Sequence, residues 1–353
     1  MQIKKGPVAI DLFCGAGGIS IGLEKSGFST VLAVDSWDVA LQTYGKNFAH
    51  PTLLGDVSKF SAADIRAKAG DIDIDFVVGG PPCQGFSIQR IGQDVDPRND
   101  LVLKFGQIVA DLRPKIFLME NVPGLLGSRG LHIFKQIVKM LVSAGYYVEH
   151  RVLNAADFGV PQIRRRVFVI GSRHDMFPAF SFPKPTHGPD SYKTVRSAIG
   201  DLGSPWVGRL SGTNDPLHRR ISMSDLNRRR LELIPPGGGF EDLPLELRVD
   251  CHRNGAAKIG HRAVYGRLAP GQPAATITAR FDSFTRGRFA HPWEHRNITL
   301  REGARLQTFP DKHLFAGTQE EIAAQIGNAV PPLLASVLCT AIASHFIKWQ
   351  VAA

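Results

Sequence analysis

Cysteine is scarce in this chain of 353 residues: Cys14, Cys83, Cys251 and Cys339 stand far apart and form no CxxC pair. That spacing excludes a zinc ribbon and argues against a disulfide scaffold, and no metal site is expected. No uninterrupted apolar run reaches the ~18 residues of a membrane span. The start Met1-Gln2-Ile3-Lys4-Lys5 leads directly into an expected strand. These absences lead us to expect a cytoplasmic protein without membrane contact. Internal repeats and low-complexity tracts are also missing.

Hydrophobic residues make up 43% and charged residues 21%, an ordinary globular balance, and the length allows one large domain with a smaller one. The net charge of +10 points to a polyanionic partner. That charge is uneven. Residues 187–300 hold 17 Lys/Arg against 11 Asp/Glu, and 15 of the 17 are arginine. Arginine forks onto phosphates and guanine edges, so the bias suits nucleic acid, with a solvated basic surface as the bland alternative.

Over the first ~170 residues strand and helix patterns alternate. Strands are expected at 7–13, 30–35, 76–78, 116–119, 148–153 and 166–171, the last two paired antiparallel. Helices are expected at 19–27, 38–48, 99–112 and 131–144. This alternation predicts an α/β fold with a mostly parallel sheet and ligands at the C-terminal strand ends. From about residue 183 Pro, Gly and Arg become frequent. Short stretches such as 275–279 read as isolated strands of a loop-rich second domain. A helix at 331–349, opened by proline, returns to complete the first.

The stretch Gly79-Gly80-Pro81-Pro82-Cys83-Gln84-Gly85-Phe86-Ser87 follows the apolar run Asp75-Phe76-Val77-Val78. It presents Cys83 in a stiffened loop past a strand end, where a thiolate can attack. Alone, such a cysteine is more often inert, but four other segments supply what a nucleophile needs. Asp11-Leu12-Phe13-Cys14-Gly15-Ala16-Gly17-Gly18 forms a strand-to-helix junction whose glycines admit a ligand close to the backbone. Ser20 stands where GxGxxG requires glycine, which favours a cofactor without a pyrophosphate. Asp35 could grip ribose hydroxyls and Asp56 an adenine amino group. Each alone also fits a solvated turn; together they favour an adenosine-type cofactor. Glu120, in Met119-Glu120-Asn121-Val122-Pro123, could hold and donate a proton. Arg164 and Arg166 alternate onto one face of a strand and could clamp a carbonyl oxygen, unless they are simply a basic sheet edge.

These motifs, in this order, resemble the bacterial DNA (cytosine-5) methyltransferases of restriction-modification type over nearly the whole chain. The matching segments are Phe13-Cys14-Gly15-Ala16-Gly17, Asp35, Asp56, Pro82-Cys83-Gln84, Glu120-Asn121-Val122 and the set Gln162, Arg164, Arg166. Near the end, Arg301-Glu302-Gly303-Ala304-Arg305-Leu306-Gln307-Thr308-Phe309-Pro310 resembles the motif supporting the second domain. Gln325-Ile326-Gly327-Asn328-Ala329-Val330-Pro331 resembles the one closing the cofactor pocket. Asp35 departs from the family, where glutamate is frequent.

The resemblance implies a Rossmann-like S-adenosylmethionine-dependent catalytic domain at 1–184, completed by 318–353. It also implies a target-recognition domain at 185–296 and a hinge or support segment at 297–317. S-adenosylmethionine would be held by Phe13, Gly15, Gly17, Asp35, Asp56 and Asn328. Cys83 would add to C6 of a flipped-out cytosine, Glu120 would contact N3 and the exocyclic amine, Arg164 would bind O2, and Arg166 would support the site. Residues 87–101 resemble the mobile loop that closes over DNA. The implied setting is the bacterial nucleoid. The partner is double-stranded DNA, the enzyme a monomer, and a cognate restriction endonuclease would be encoded separately.

Three rivals differ by residue. A tRNA-directed branch of the family carries Cys-Phe-Thr in its second domain, which is absent here. A nicotinamide oxidoreductase is disfavoured by Ser20. A catalytically silent DNA-binding module would not need Cys83, Glu120 and the arginines together. Arg253, Arg262, Arg280, Arg286 and Arg288 are candidates for DNA contact, unranked by sequence, and the recognition site is not encoded in any readable form.

Overall fold

Strands covered by helices on both faces carry apolar side chains on both, and the apolar runs near the N-terminus become the centre of such a sheet. The computed structural model describes residues 6–82, 100–208, 214–253 and 263–352. Cys83, Arg262 and residues 87–99 of the expected mobile loop therefore lie outside the described residues. By their internal contacts the described residues form two compact units. The first comprises Met1–Asn154, Arg165–Pro185 and Val330–Ala353; the second comprises Ala155–Arg164 and Thr186–Ala329.

In the first unit, β1 (Val8–Leu12), β2 (Ser29–Asp35), β3 (Thr52–Leu54), β4 (Phe76–Gly79), β5 (Ile116–Asn121), β6 (Tyr146–Asn154) and β7 (Arg165–Arg173) make one sheet. Their spatial order is β3-β2-β1-β4-β5-β7-β6. The first five pair in parallel, while β7 runs antiparallel to both β5 and β6. The β6–β7 pairing was expected from the sequence; the insertion of β7 against β5 was not. Helices α1 (Gly18–Lys25), α2 (Asp38–Asn47), α3 (Ala62–Lys68), α4 (Asp100–Leu112) and α5 (Leu131–Ser143) link the parallel strands. α4 shows the amphipathic rule clearly: Val102, Phe105, Ile108, Val109 and Leu112 fall on one face and are buried in the sheet's core with Val77, Phe117 and Ile137.

Among the described residues the elements of the second unit are short: α6 (Val195–Ile199), α7 (Asp225–Leu233), α8 (Asp250–Arg253), β8 (Gly266–Arg267), β9 (Arg288–Ala290), α9 (Leu300–Leu306) and α10 (Gln319–Asn328). With so little regular structure, buried side-chain pairs do much of the tying. Glu302 and Thr299 cap α9 reciprocally, and Glu302 also takes a fork of two 2.8 Å hydrogen bonds from Arg296. Residues 275–279, expected as a strand, form no ladder. Their backbone is claimed instead by side chains: Ile277 N–H donates to Gln162 Oε1 (2.8 Å), and Ile277 O accepts from Arg164 Nη1 (2.9 Å).

The chain returns to the first unit in α11 (Pro332–Ala352), which packs on α1. A Cβ on Gly22 would stand 2.6 Å from the Ala335 carbonyl carbon, so glycine there sets how closely the two helices approach. Residues 319–347 are long and apolar enough on average to cross a membrane, although they contain no uninterrupted apolar run of that length. The stretch is broken between α10 and α11. The α11 face Leu334, Ala335, Leu338, Cys339, Ile342 and Phe346 is buried, the pattern of a core helix.

Candidate active site

Two groups of residues gather at the C-terminal ends of the parallel strands in the first unit. The first surrounds the β1–α1 turn. Phe13 and Gly15 have φ of 61° and 51°, and Gly17 has φ 85°, so the chain passes through left-handed backbone three times in five residues. A non-glycine residue there is strained, and strain of this kind is concentrated at ligand sites. A Cβ on Gly15 would meet no protein atom within 4 Å, leaving the backbone open to a ligand.

Asp35, at the end of β2, fixes this turn. Its Oδ2 accepts from Gly15 N–H (2.8 Å) and its Oδ1 from Trp37 N–H (2.8 Å). Burial raises its pKa, against the pull of those backbone donors. Gly55 N–H donates to the Asp35 carbonyl (2.9 Å), bringing the end of β3 alongside. Asp56 follows, exposed, with Oδ1 accepting from Ser58 N–H (2.9 Å); the Ser58 hydrogen bonds hold its carboxyl below the usual range. Asp35 and Asp56 thus stand at neighbouring strand ends. Half-buried Trp37, beside Asp35, is an aromatic residue that the motif pattern did not single out. Its signal was available: an aromatic two residues past a strand-end carboxylate.

Beneath the turn lies a buried polar chain. Ser20 Oγ donates to Asp11 Oδ2 (2.6 Å) and shares a 2.8 Å hydrogen bond with Tyr44 Oη, which in turn meets His50 Nδ1 at 3.0 Å. Burial pushes the Asp11 carboxyl up to about 7, with the Ser20 hydrogen bond opposing and the Asp35 charge adding. At the position where a dinucleotide fingerprint has its third glycine, Ser20 therefore serves a carboxylate under the helix start. Cys14 is buried, and its thiol is pushed well up by burial and by the charges of Asp11 and Asp35; burial and Asp11 likewise push up Cys339. Neither offers a ready thiolate.

The second group stands at the ends of β4, β5 and β7. Glu120 lies opposite Phe168 in the β5–β7 ladder, so Arg166, two residues along β7, shares its face. Arg166 Nε sits 3.0 Å from Glu120 Oε1, with both side chains largely buried. A Cβ on Gly80 would stand 3.2 Å from Glu120 Oε2, so the carboxylate lies against the backbone at the exit of β4. Asn121 Nδ2 donates to Pro81 O (3.1 Å), tying the same exit to β5. The chain continues from there through Pro82 to Cys83.

Arg164 does not share a strand face with Arg166. β7 begins at Arg165, which is exposed, and Arg164 belongs to the second unit. It is 1% exposed, and its Nη1 and Nη2 donate to Ile277 O (2.9 Å) and Gly327 O (3.0 Å). Gln162 is likewise buried and donates to Gln307 Oε1 (2.8 Å), while Gln307 Nε2 donates to Ile326 O (2.6 Å). Three residues expected in functional motifs are therefore staples of the second unit. Asn328 ends α10 in that unit and is exposed.

A seven-stranded α/β sheet with a reversed β7 between β5 and β6, and a carboxylate at the end of β2, is that of the Rossmann-like methyltransferases. The comparisons with known proteins narrow this class. The chain belongs to the C-5 cytosine-specific DNA methylase family, whose model matches residues 8–344, and it is a DNA (cytosine-5-)-methyltransferase of the restriction-modification type. It is 32% identical to the type II methylase M.HgiDII of Herpetosiphon aurantiacus over 337 residues, 94% of each chain. It is 36% identical to the type II methyltransferase M.NgoFVII of Neisseria gonorrhoeae, over 92% of this chain and 83% of that one. Among solved structures, a prophage-encoded DNA modification methyltransferase of E. coli matches with a TM-score of 0.75 at 28% identity, covering 97% of this chain and all of that one.

Proposed function

We propose that this enzyme methylates C5 of a cytosine flipped out of a specific duplex DNA sequence, with S-adenosylmethionine as methyl donor and Cys83 as nucleophile. The observation that carries this reading is the Glu120–Arg166 pair lying against Gly80, three residues before Cys83. A carboxyl, a guanidinium held beside it and a cysteine three residues past Gly80 in the sequence match the three demands of cytosine activation. The Cys83 thiolate adds to C6 and makes C5 nucleophilic. Glu120 contacts the exocyclic amine and gives N3 a proton as charge develops there. Arg166 holds O2 and, through its ion pair, orients Glu120. The O2 role falls to Arg166 rather than Arg164, whose Nη groups are engaged by two backbone carbonyls.

The turn at Phe13, Gly15 and Gly17, with Asp35 and Asp56, fits an adenosine-bearing cation: an open backbone surface and two strand-end carboxylates. S-adenosylmethionine, when bound, supplies an electrophilic methyl group on a sulfonium. Asp35 would hold the ribose hydroxyls, Asp56 the adenine amino group, and Asn328 would complete the pocket. Sequence choice would reside in residues 185–296. We place the enzyme, as a monomer, in the bacterial cytoplasm beside a separately encoded endonuclease.

The test is trapping. Fluorine at C5 cannot leave as a proton does, so cognate duplex carrying 5-fluorocytosine should accumulate a denaturant-stable adduct with the wild type and none with Cys83→Ala. An adduct that persists in Cys83→Ala would reject Cys83 as the nucleophile.

A further inference from the structure

The arginines of the second unit divide by what their guanidinium groups already hold. Arg253 donates to the carbonyls of Leu245 and Glu246, both at 2.9 Å, and pairs with Asp250. Arg280 is engaged by Asp282 at 3.0 Å and Glu320 at 3.3 Å. Arg288 Nη1 is fixed on the carbonyls of Gly238 (2.6 Å) and Arg267 (3.0 Å). Three of the arginines that the sequence offers for DNA contact are thus committed to shaping loops. Arg228, Arg229 and Arg286 differ: all three are exposed, and their guanidinium groups hold no hydrogen bond or ion pair among the described residues.

These three are mounted on one support. Arg228 and Arg229 lie on α7, and Arg286 ends the short turn Phe284–Arg286. Leu231 of α7 and Phe284 of the turn are buried in the same apolar cluster, with Ile234, Phe240, Leu243 and Ala290. α7 is secured from its buried side. Arg230 donates to Leu247 O (2.7 Å) and lies over the Tyr265 ring, and Arg267 donates to Leu231 O (2.7 Å). The turn is pinned where Phe284 N–H donates to Asn297 Oδ1 (2.9 Å). At 100° per residue Arg229 points opposite Leu231, on the face that also carries the half-exposed Leu226 and Leu233. Cations held on rigid, packed elements lose little further freedom when they bind, unlike those on a solvated tail.

We propose that the exposed arginines of α7 and of the Phe284–Arg286 turn, Arg228, Arg229 and Arg286, contact duplex DNA, with Arg229 on the outer face of α7 and Arg228 at its flank. This rests on the reading of the chain as a duplex-DNA methyltransferase. Charge selects the occupant: an arginine fork matches a phosphate and the O6/N7 edge of guanine, and the two leucines suit thymine methyl groups.

The experiment compares Arg228→Ala, Arg229→Ala and Arg286→Ala with Arg253→Ala and Arg280→Ala. Duplex binding is measured at several salt concentrations, together with methylation of a random-sequence library and thermal stability. For a phosphate contact, the first set should each reduce the log–log salt slope by about one, with unchanged Tm. For a base contact, preference at one position should relax by about 5- to 150-fold. The second set should lower Tm while keeping slope and preference. Wild-type protein that binds no duplex overturns both this assignment and the reading beneath it. Wild type that binds and methylates, while Arg228, Arg229 and Arg286 variants match it in slope and preference, overturns this assignment alone.

Discussion

The Glu120 carboxylate and the Arg166 guanidinium meet at 3.0 Å, while Arg164, two residues earlier, faces backbone carbonyls in another compact unit. One alternating sequence motif is therefore split between the Glu120 pair and scaffolding, and on the proposed roles substitution should separate the two.

Glu120→Gln keeps size and hydrogen bonding but cannot deliver a proton. Single-turnover methylation should fall by roughly 10²-fold, the usual scale of a general acid, with little change in DNA binding. Arg166→Ala should fall comparably, because it removes both the proposed O2 contact and the guanidinium paired with Glu120. Arg164→Ala should act on folding instead. Losing a buried guanidinium leaves the Ile277 and Gly327 carbonyls without these donors, at a cost on the order of 2–3 kcal/mol in urea unfolding. A stable Arg164→Ala enzyme with a rate as low as that of Arg166→Ala would reverse these roles.

The sequence could not separate these arginines, because period-two alternation assigns a face only where a strand exists, and β7 begins one residue after Arg164. The apolar runs of β1, β2, β4 and β5 were legible because buried parallel strands need them. β3 was not among the expected strands: its three residues are half-buried or exposed, and its pairing with the end of β2 at Asp35 became visible only through the β2–β3 register. α3 carries a capping box, Ser61 with Asp64, but only one fully buried residue, Ile65, so its apolar period is faint. Residues 275–279 have strand composition, yet side chains distant in sequence took the hydrogen bonds a neighbouring strand would have made. The position of Asp35 was readable, and its grip on the Gly15 and Trp37 amides was not, since it depends on the left-handed backbone of the β1–α1 turn.

Asp35→Ala removes the acceptor for both amides and the carboxylate expected to hold the ribose. Calorimetry should find S-adenosylmethionine bound by the wild type without DNA and weakened about 10- to 100-fold in the variant, the scale of one or two charge-assisted hydrogen bonds. NADH should bind neither protein. Equal affinity of wild type and variant for S-adenosylmethionine would remove Asp35 from the site, and tight NADH binding would remove the cofactor assignment.

Asp11 sets a pH dependence of stability whose sign follows from its burial. Its carboxyl titrates at about 7 in the fold, against 3.8 when free. Between those values the folded state binds the extra proton, so this group's contribution is fully present below about pH 4 and is lost as pH rises through 7. Asp11→Asn cannot titrate but leaves an oxygen able to accept from Ser20. Urea unfolding of both proteins from pH 5.5 to 8.5 should therefore show the variant gaining on the wild type as pH rises. The slope should be about 1.4 kcal/mol per pH unit at the acid end of this range, fall to about half of that at pH 7 and flatten above pH 8. His50, two hydrogen bonds further along the chain from Ser20, has its pKa lowered by burial, so above pH 6.5 the change belongs to Asp11. A difference between the two proteins that stays constant with pH, or that shrinks as pH rises, would mean that Asp11 is ionised in the fold and that its charge is met by a partner rather than suppressed by burial.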